Sequence, residues 1–276
     1  MSAGDARGRL PASLTLVGAG RMGAAMLNGW LAAGLDPRRA TIVEPQPSEA
    51  VRGLCAARGI ALNPAEAAAA AVLVVAIKPQ GFAEAARALD RMIGSDTVVL
   101  SILAGKTVAD LKVRLRSARA VVRAMPNLPA SIGRGATGAV ASPEVTEDQR
   151  AAVDALLAAN GLVEWVGAED EIDAVTAVSG SGPAYVFLLV EALEAAGVAA
   201  GLSPAVAARL ARATVSGAGA LLDASDLPAA ELRRNVTSPG GTTAAALDVL
   251  MRADGLAPLL HEAVAAAKRR AGALAG

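Results

Sequence analysis

Short apolar runs alternate with alanine-rich segments of helical period along the first 167 residues. The run at 72–76 is apolar on both faces, which is typical of a strand in a parallel sheet covered by helices on each side. Strands and helices that alternate in this way form βαβ units, and right-handed crossovers make the sheet doubly wound. We expect strands at 14–18, 40–44, 72–77, 97–102 and 119–123, with 138–141 and 162–166 at one edge.

The pattern changes after Glu169, where strand signals stop and long alanine- and leucine-rich helical segments follow. Ser203 before Pro204 predicts a helix N-cap, and Asp226 before Pro228 predicts a similar one. Helices this rich in alanine are marginal alone, so we expect the helical half to pack against a second copy of the chain. The predicted organisation is a disordered tail at 1–11, a Rossmann-type domain at 12–167 and an all-helical substrate-binding and dimerisation domain at 168–276.

Composition excludes several classes of partner. Only 2% of residues are aromatic, and the Lys+Arg and Asp+Glu totals are both 26, which argues against a nucleic-acid surface. Cys55 is the only cysteine, so no intramolecular disulfide can form and a thiolate metal site is not expected. The apolar window at 67–77 is too short to span a bilayer, and the run at 174–190 is broken by Ser-Gly-Ser-Gly-Pro. We expect a cytoplasmic, soluble protein with no metal, membrane or nucleic-acid partner.

A glycine motif lies between the first predicted strand and the first predicted helix. Residues 14–23 are Leu-Thr-Leu-Val-Gly-Ala-Gly-Arg-Met-Gly, which contains the spacing Gly-x-Gly-x-x-Gly. Gly18 would permit the tight turn, Gly20 the close approach of a pyrophosphate and Gly23 the packing of helix on strand. The following βαβ series favours a dinucleotide site, to which Arg21 and Met22 also belong.

The ribose end of this site is expected at Glu44, which ends the second predicted strand. An acidic side chain there would accept hydrogen bonds from the adenosine ribose diol and repel a 2′-phosphate. Residues 45–48 supply no arginine, so the local sequence favours NADH. NADPH stays open as the cofactor, because a 2′-phosphate could be bound by an arginine from elsewhere in the chain: Arg21, Arg38, Arg39 or Arg52.

Later strand ends carry further candidate ligand contacts, because open α/β sheets bind ligands at the carboxyl ends of their strands. For Lys78, a solvated lysine at a helix start is an equal alternative to a cation near the cofactor. For Asn127, which lies at a strand end between two prolines, a ligand contact and a structural role are equal alternatives. The candidates are Ala76, Lys78, Pro79 and Asn127.

A second glycine turn, Val-Thr-Ser-Pro-Gly-Gly-Thr-Thr at 236–243, precedes a predicted helix. Pro239 fixes its own φ and the two glycines relax theirs, so backbone amides can converge on a small anion at the helix N-terminus. A small carboxylate suits such a turn. An ordinary helix cap rich in Ser, Thr and Gly is the alternative interpretation.

The scarcity of proton donors restricts the reaction. His261 is the only histidine, Tyr185 the only tyrosine, and residues 169–264 contain no lysine. Reduction of a keto acid usually needs such a donor beside the carbonyl oxygen, whereas an imine nitrogen can be protonated before hydride arrives. Imino acid reduction therefore fits the chain better, with the hydroxyls of Ser238, Thr242 or Thr243 near the nitrogen.

The chain resembles the pyrroline-5-carboxylate reductases over nearly its whole length. The blocks at 18–23, 75–80, 123–129, 173–185 and 235–250 carry the resemblance, and the last is the most diagnostic. The resemblance implies a Rossmann domain, a helical domain that forms an interlocked homodimer, and further assembly into a ring of dimers, a decamer among the options. It also implies hydride transfer from NAD(P)H to the C=N bond of 1-pyrroline-5-carboxylate, which gives L-proline.

The resemblance also implies roles for individual residues. Thr243 would hydrogen-bond the ring nitrogen, Asp226 would lie near that nitrogen, and Thr176 would lie near the nicotinamide and the dimer contact. Asn63 and Lys78 match cofactor-side positions. The expected catalytic residues are Thr243, Ser238 and Asp226, and the expected substrate contacts are Ser238, Gly240, Gly241, Thr242, Thr243 and Asn127.

Three alternatives stay open. Many relatives carry a small polar residue or an Asn-Arg pair where this chain has Glu44 and Pro45, so an NADPH preference does not transfer. A β-hydroxyacid dehydrogenase shares the domain plan, but such enzymes place a catalytic lysine in the helical domain, which has none here before Lys268. A nucleotide-sensing protein without turnover is a further alternative, although it would not need the turn at 238–243.

Overall fold

A computed structural model describes residues 10–275, the side chain of Ala275 excepted. The described strands form one sheet in the order β3-β2-β1-β4-β5-β6-β7-β8. All neighbouring strands are parallel except β6 and β7, which are antiparallel. The strands are β1 (Leu14–Val17), β2 (Ala40–Val43), β3 (Ala61–Leu62), β4 (Val72–Val75), β5 (Val98–Ser101), β6 (Ala120–Met125), β7 (Gly135–Ala141) and β8 (Gly161–Trp165).

Helices cover both faces of the sheet because its central strands are apolar on both sides. One core cluster joins Leu16 and Val74 to Trp30 and Leu156, and the other joins Val75 and Val99 to Phe82. These clusters confirm the predicted doubly wound architecture. The helices around the sheet are α1 (Arg21–Ala32), α2 (Glu49–Arg58), α3 (Phe82–Asp90), α4 (Val108–Arg114), α5 (Glu147–Ala158) and α6 (Glu171–Val175).

The chain beyond the sheet is helical, as the sequence predicted. A π-helical turn, Thr176–Gly180, leads from α6 into this region. Its helices are α7 (Gly182–Ala199), α8 (Pro204–Asp223), α9 (Ala229–Asn235), α10 (Thr242–Leu250) and α11 (Leu256–Ala275).

One predicted cap is wrong and another holds in position only. Helix α9 has Pro228, not Asp226, at its N-cap, since the helix begins one residue after the proline. Ser203 does occupy the N-cap of α8 with Pro204 next, although its hydroxyl makes no capping hydrogen bond in the described structure.

The chain forms two compact units, one of residues up to 180 together with those from 267 onward, and one of residues 181–266. The first unit therefore includes the segment 168–180 that follows the predicted domain boundary. That boundary remains a prediction from sequence pattern. Most of the predicted tail lies outside the described residues, but Leu10 packs against the core.

Little of the helical unit is buried. Ala207 and Ala211 are its only buried apolar residues, in a segment that the structure describes throughout. One helical stretch, Glu171–Ala199, is long and apolar enough to cross a membrane by length and composition, although it contains the π-helical turn and Pro183. Large exposed apolar side chains include Val186, Phe187, Leu188, Leu189, Leu210, Leu221, Leu222, Val249, Leu250, Leu259 and Leu260.

Candidate active site

The first glycine of the N-terminal motif makes a turn that only glycine fits. Gly18 has φ +94°. A Cβ on it would lie 2.6 Å from the carbonyl carbon of Ala76, just after β4. The N–H of Gly18 donates to the carbonyl of Val43 at 2.9 Å. The turn is therefore fixed between the ends of three neighbouring strands.

The other two glycines of the motif have different surroundings. A Cβ on Gly23 would collide with the Gly18 carbonyl oxygen, so α1 packs directly on the turn. A Cβ on Gly20 would have no described neighbour within 4 Å, which leaves open space above the backbone. Helix α1 starts at Arg21 without a side-chain cap in the described structure, so its first amides and its dipole face that space. This cradle fits a pyrophosphate. Arg21 is exposed, whereas Met22 packs against the core.

Glu44 lies at the end of β2 and is held on several sides. One carboxylate oxygen accepts from the N–H of Ala19 at 2.9 Å, and the other accepts from the N–H of Gln46 at 3.1 Å. Asn63 fixes the backbone, because its side chain exchanges two hydrogen bonds of 2.8 Å with the main chain of Glu44. Asn63 has φ +50°, which asparagine tolerates better than most residues. An acid is thus placed beside the glycine turn.

The carboxyl ends of β4 and β6 carry the remaining candidates of the first unit. Ala76 follows β4 and donates its N–H to the carbonyl of Val17 at 2.8 Å. Lys78 is exposed and precedes a short 3₁₀ turn, Pro79–Gly81. These positions share the sheet edge with the turn at Gly18, where open α/β sheets bind ligands.

Asn127 follows β6 and is buried, with 8% of its surface exposed. Its side-chain N–H donates to the carbonyl of Ser179 at 3.0 Å, and its side-chain oxygen accepts from the N–H of Ala136 at 2.9 Å. The amide group therefore joins three parts of the chain: the end of β6, the start of β7 and the π-helical turn.

A buried arginine also holds the segment before the π-helical turn. Arg123, in β6, is 5% exposed and forms an ion pair of 3.1 Å with Glu169. A second carboxylate, that of Asp173, lies 3.8 Å away. Glu169 also accepts from the N–H of Val108 at 2.7 Å. Sequence analysis did not single out this cluster, although a charged residue inside an apolar strand was its signal.

Thr176 begins the π-helical turn and is partly buried. Its hydroxyl donates to the carbonyl of Ile172 at 2.8 Å, which leaves the oxygen lone pairs as the free function of the side chain. The hydroxyl of Ser179 donates in the same way to the carbonyl of Val175 at 3.0 Å. Both bonds run four residues back along the chain, a pattern that often bends a helix.

The second glycine turn opens α10, as predicted. Gly240 has φ +68°, and the N–H of Gly241 donates to the carbonyl of Ser238 at 3.1 Å. A Cβ on Gly241 would collide with the Ser238 hydroxyl as it is placed here, so the two residues are closely packed in the turn. Helix α10 then begins at Thr242 without a side-chain cap in the described structure. The turn thus presents helix amides beside hydroxyl groups.

The predicted site residues of the helical unit, residues 181–266, differ in their exposure to solvent. Ser238 and Thr242 are exposed, and Thr243 is half-buried. Asp226 is exposed in the connection between α8 and α9. The candidates thus form two groups, one at the carboxyl edge of the sheet and one within residues 181–266. Among the described residues there is no cluster of three or more His, Cys, Asp or Glu that could hold a metal ion.

Two family models match the chain. Residues 13–105 match the model described as NADP oxidoreductase, coenzyme F420-dependent, and residues 169–274 match the model described as pyrroline-5-carboxylate reductase dimerisation. The pyrroline-5-carboxylate reductase of Pseudomonas aeruginosa is 39% identical over 264 residues, which cover 95% of this chain and 96% of that protein. The enzyme of the same name from Mycobacterium tuberculosis is 40% identical over an alignment of 285 residues, which covers 94% of this chain and 95% of that protein.

Solved structures give the same picture. A pyrroline-5-carboxylate reductase from Coxiella burnetii superposes with a TM-score of 0.89 at 34% identity, covering 96% of this chain and 99% of that chain. A pyrroline carboxylate reductase from Plasmodium falciparum with NADP bound has a TM-score of 0.80 at 26% identity, with coverages of 96% and 98%.

Proposed function

Since the chain belongs to the pyrroline-5-carboxylate reductase family, we propose that it reduces 1-pyrroline-5-carboxylate to L-proline with NAD(P)H. Hydride adds to the imine carbon, and the protonated nitrogen becomes the secondary amine of proline. The observation that carries the proposal is the presence of two glycine turns in one chain. The turn at Gly18 suits a dinucleotide, and the turn at Gly240 suits a small carboxylate.

The residues that we propose bind the cofactor lie along the carboxyl edge of the sheet. The open backbone at Gly20 and the first amides of α1 would hold the pyrophosphate, and Glu44 would accept hydrogen bonds from the adenosine ribose. When bound, the nicotinamide supplies the hydride. The other cofactor-side residues in this proposal are Gly18, Arg21, Met22, Gly23, Asn63, Ala76, Lys78, Pro79 and Thr176.

The substrate residues lie in the turn before α10. Its amides would bind the carboxylate through Gly240, Gly241 and Thr242, with the Ser238 hydroxyl beside them. The oxygen of the Thr243 hydroxyl would accept a hydrogen bond from the N–H of the protonated imine. Asp226 would stabilise that positive charge from the α8–α9 connection. An imine protonated in this way needs positioning more than acid catalysis, which suits a segment 169–264 without lysine.

For the cofactor, we propose a preference for NADH. The Glu44 carboxylate is fixed by the amides of Ala19 and Gln46, so it cannot turn away from a 2′-phosphate without losing both hydrogen bonds. An anion held there disfavours NADPH by charge repulsion. The NADP bound in the Plasmodium falciparum relative belongs to a protein only 26% identical to this one.

For the assembly, we propose a homodimer joined through residues 181–266. Such dimers would assemble further into a ring. The support is the large exposed apolar surface of these helices and the match of 169–274 to a dimerisation model. In this homodimer the second copy of the chain would cover the apolar stretch of α7.

For the localisation, we propose the cytoplasm. A reducing compartment suits the single, buried Cys55.

A substrate comparison tests the proposal against its nearest competitor. Purified protein is incubated with reduced nicotinamide and either 1-pyrroline-5-carboxylate or a panel of 2- and 3-keto acids, and the loss of absorbance at the reduced nicotinamide band is followed. Turnover of the imino acid alone supports the proposal. Turnover of a keto acid alone would favour a hydroxyacid dehydrogenase instead.

A further inference from the structure

The carbonyl of Ser179 lies in the π-helical turn Thr176–Gly180, directly before α7. In π-helical spacing its hydrogen-bond donor would be the N–H of Ala184, which instead donates to the carbonyl of Ser181 at 2.9 Å. In the α-helical spacing of α7 the donor would be the N–H of residue 183. That residue is Pro183, which has no N–H. The proline therefore removes the donor that a continuous helix would give to Ser179.

Asn127 supplies the missing donor from elsewhere in the chain. Its side-chain N–H reaches the Ser179 carbonyl at 3.0 Å, across 52 residues of sequence. The other end of the amide is held by the N–H of Ala136. Because both ends are bonded, the side chain cannot rotate without losing two partly buried hydrogen bonds.

Further contacts press the same turn onto the sheet. A Cβ on Gly180 would lie 3.1 Å from the terminal methyl of Met125, at the end of β6. A Cβ on Gly138 would lie 2.6 Å from the Val175 side chain. Residues 175–180 are thus fitted closely over the carboxyl end of β6 and over Gly138, the residue of β7 that pairs with Met125.

We propose that Asn127 is a positioning residue, which sets the π-helical turn Thr176–Gly180 at the carboxyl edge of the sheet by taking the place of the N–H that Pro183 lacks. The inference rests on the proposed function, because the turn lies beside the strand ends where the reduced nicotinamide is expected. π-Helical turns are frequent at functional sites. Asn127 acts on the reaction through this turn and not by contact with the imino acid.

Two substitutions of Asn127 distinguish the contributions of its two hydrogen bonds. Asn127→Asp keeps an oxygen for the N–H of Ala136 and removes the donor to Ser179, whereas Asn127→Ala removes both. Each is expected to lower kcat by roughly 10- to 100-fold, the range for misplaced catalytic groups, with little change in KM for the nucleotide. The deuterium isotope effect on kcat with reduced nicotinamide deuterated at C4 should rise, because hydride transfer becomes slower relative to product release.

Pro183→Ala provides the rescue. It restores an N–H at position 183, so the Asn127→Ala, Pro183→Ala double variant should recover most of the kcat lost in Asn127→Ala, while Pro183→Ala alone stays near the native value. Hydrogen exchange of the ligand-free protein gives a second readout. Amides at 176–184 should exchange faster in Asn127→Ala than in the native protein and slow again in the double variant, with no change in α1.

Several outcomes would overturn the inference. They are a native kcat and isotope effect in both Asn127 variants, unchanged exchange at 176–184, or a double variant no better than Asn127→Ala. If Asn127→Ala does not fold, a folded and active double variant supports the inference, and an unfolded one overturns it. A native enzyme without turnover would contradict the proposed function, but faster exchange in Asn127→Ala would still show that Asn127 holds the turn.

Discussion

The carboxylate of Glu44 accepts a hydrogen bond from the backbone N–H of Ala19, with 2.9 Å between oxygen and nitrogen. The acid that would face the adenosine ribose is therefore attached to the turn that would hold the pyrophosphate. We therefore expect a change at Glu44 to alter cofactor choice and the geometry of the turn together.

Replacing Glu44 should shift the cofactor preference. Glu44→Ser removes the negative charge, so the ratio of kcat/KM for NADPH to that for NADH should rise about 10-fold or more, since like-charge contacts cost several kcal/mol. Glu44→Gln is the matched control, because it removes the charge but keeps an oxygen for the Ala19 amide. Steady-state kinetics with each nucleotide measures the ratio. An unchanged ratio in both variants would remove Glu44 from cofactor discrimination.

Gly20→Ala should weaken nucleotide binding without unfolding the protein. The new methyl group meets open space in the described structure, but it occupies the place that the pyrophosphate needs. We expect a native melting temperature and at least about a 10-fold higher Kd for the nucleotide, the effect of losing about 1.4 kcal/mol of binding free energy. Fluorescence titration and thermal melting give the two values.

Gly53→Ala is the control for that substitution. Gly53 lies inside α2, and a Cβ there also meets open space in the described structure. Alanine is favoured over glycine within a helix by about 0.5–1 kcal/mol, so this variant should be slightly more stable and bind nucleotide normally. If Gly53→Ala weakens binding as much as Gly20→Ala does, the cradle is not the cause.

Removing the Thr243 hydroxyl should slow the reaction. Thr243→Val keeps the shape of the side chain and should lower kcat/KM about 10-fold, which corresponds to a hydrogen bond of about 1.4 kcal/mol in the transition state. Thr243→Ser keeps the hydroxyl and should retain most of the activity. Equal kinetics for the valine variant and the native enzyme would exclude Thr243 from the mechanism.

The ion pair between Lys112 and Glu144 predicts a pH dependence of stability. The two charged atoms lie 2.6 Å apart, and the hydrogen bond from Lys112, together with a weaker one from Ser142, lowers the pKa of Glu144 from 4.5 to about 2. Because the pKa is lower in the folded state, the stabilisation is fully present above pH 4.5 and is lost as the pH falls towards 2.

Urea unfolding at several pH values tests this dependence. Glu144→Gln should be slightly less stable than the native protein at pH 6, and the difference should shrink as the pH approaches 2. The effect should be small, since both side chains are partly exposed to solvent. A difference that grows on acidification would contradict the assignment.

A charge on the exposed helical surface should disrupt the proposed homodimer. Phe187, in α7, is 54% exposed, so Phe187→Asp should lower the sedimenting mass at micromolar concentration. Val113→Asp is the control, because Val113 is 74% exposed but lies in α4, outside the helical unit. A native protein that sediments as a monomer, or an equal effect of both substitutions, would contradict an interface formed by the helical unit.

The sequence predicted the features that depend on local pattern. The strands β1, β4 and β5 are buried on both faces and mostly apolar, so the sequence pattern predicted them. The glycine motif was recognised because it follows β1. The start of α10 at Thr242 was signalled by Pro239 and the glycines before it. The strand direction of β7 was not predicted, because an apolar run fixes neither direction nor partner.

Features that depend on distant residues were not predictable in the same way. Strand β3 has two residues and is defined by its pairing with β2 and by Asn63. The placement of 168–180 with the sheet depends on the ion pair of Arg123 and Glu169, which are 46 residues apart. The link between Asn127 and Ser179 likewise forms only after the chain has folded.

The most direct test of the whole account is the reduction of 1-pyrroline-5-carboxylate by the purified enzyme. NADH and NADPH oxidation are followed in separate reactions, and L-proline is quantified in each. One L-proline should form for each nucleotide oxidised, and kcat/KM should be higher for NADH than for NADPH. No turnover with either nucleotide would contradict the reductase function, and a higher kcat/KM for NADPH would contradict the role of Glu44.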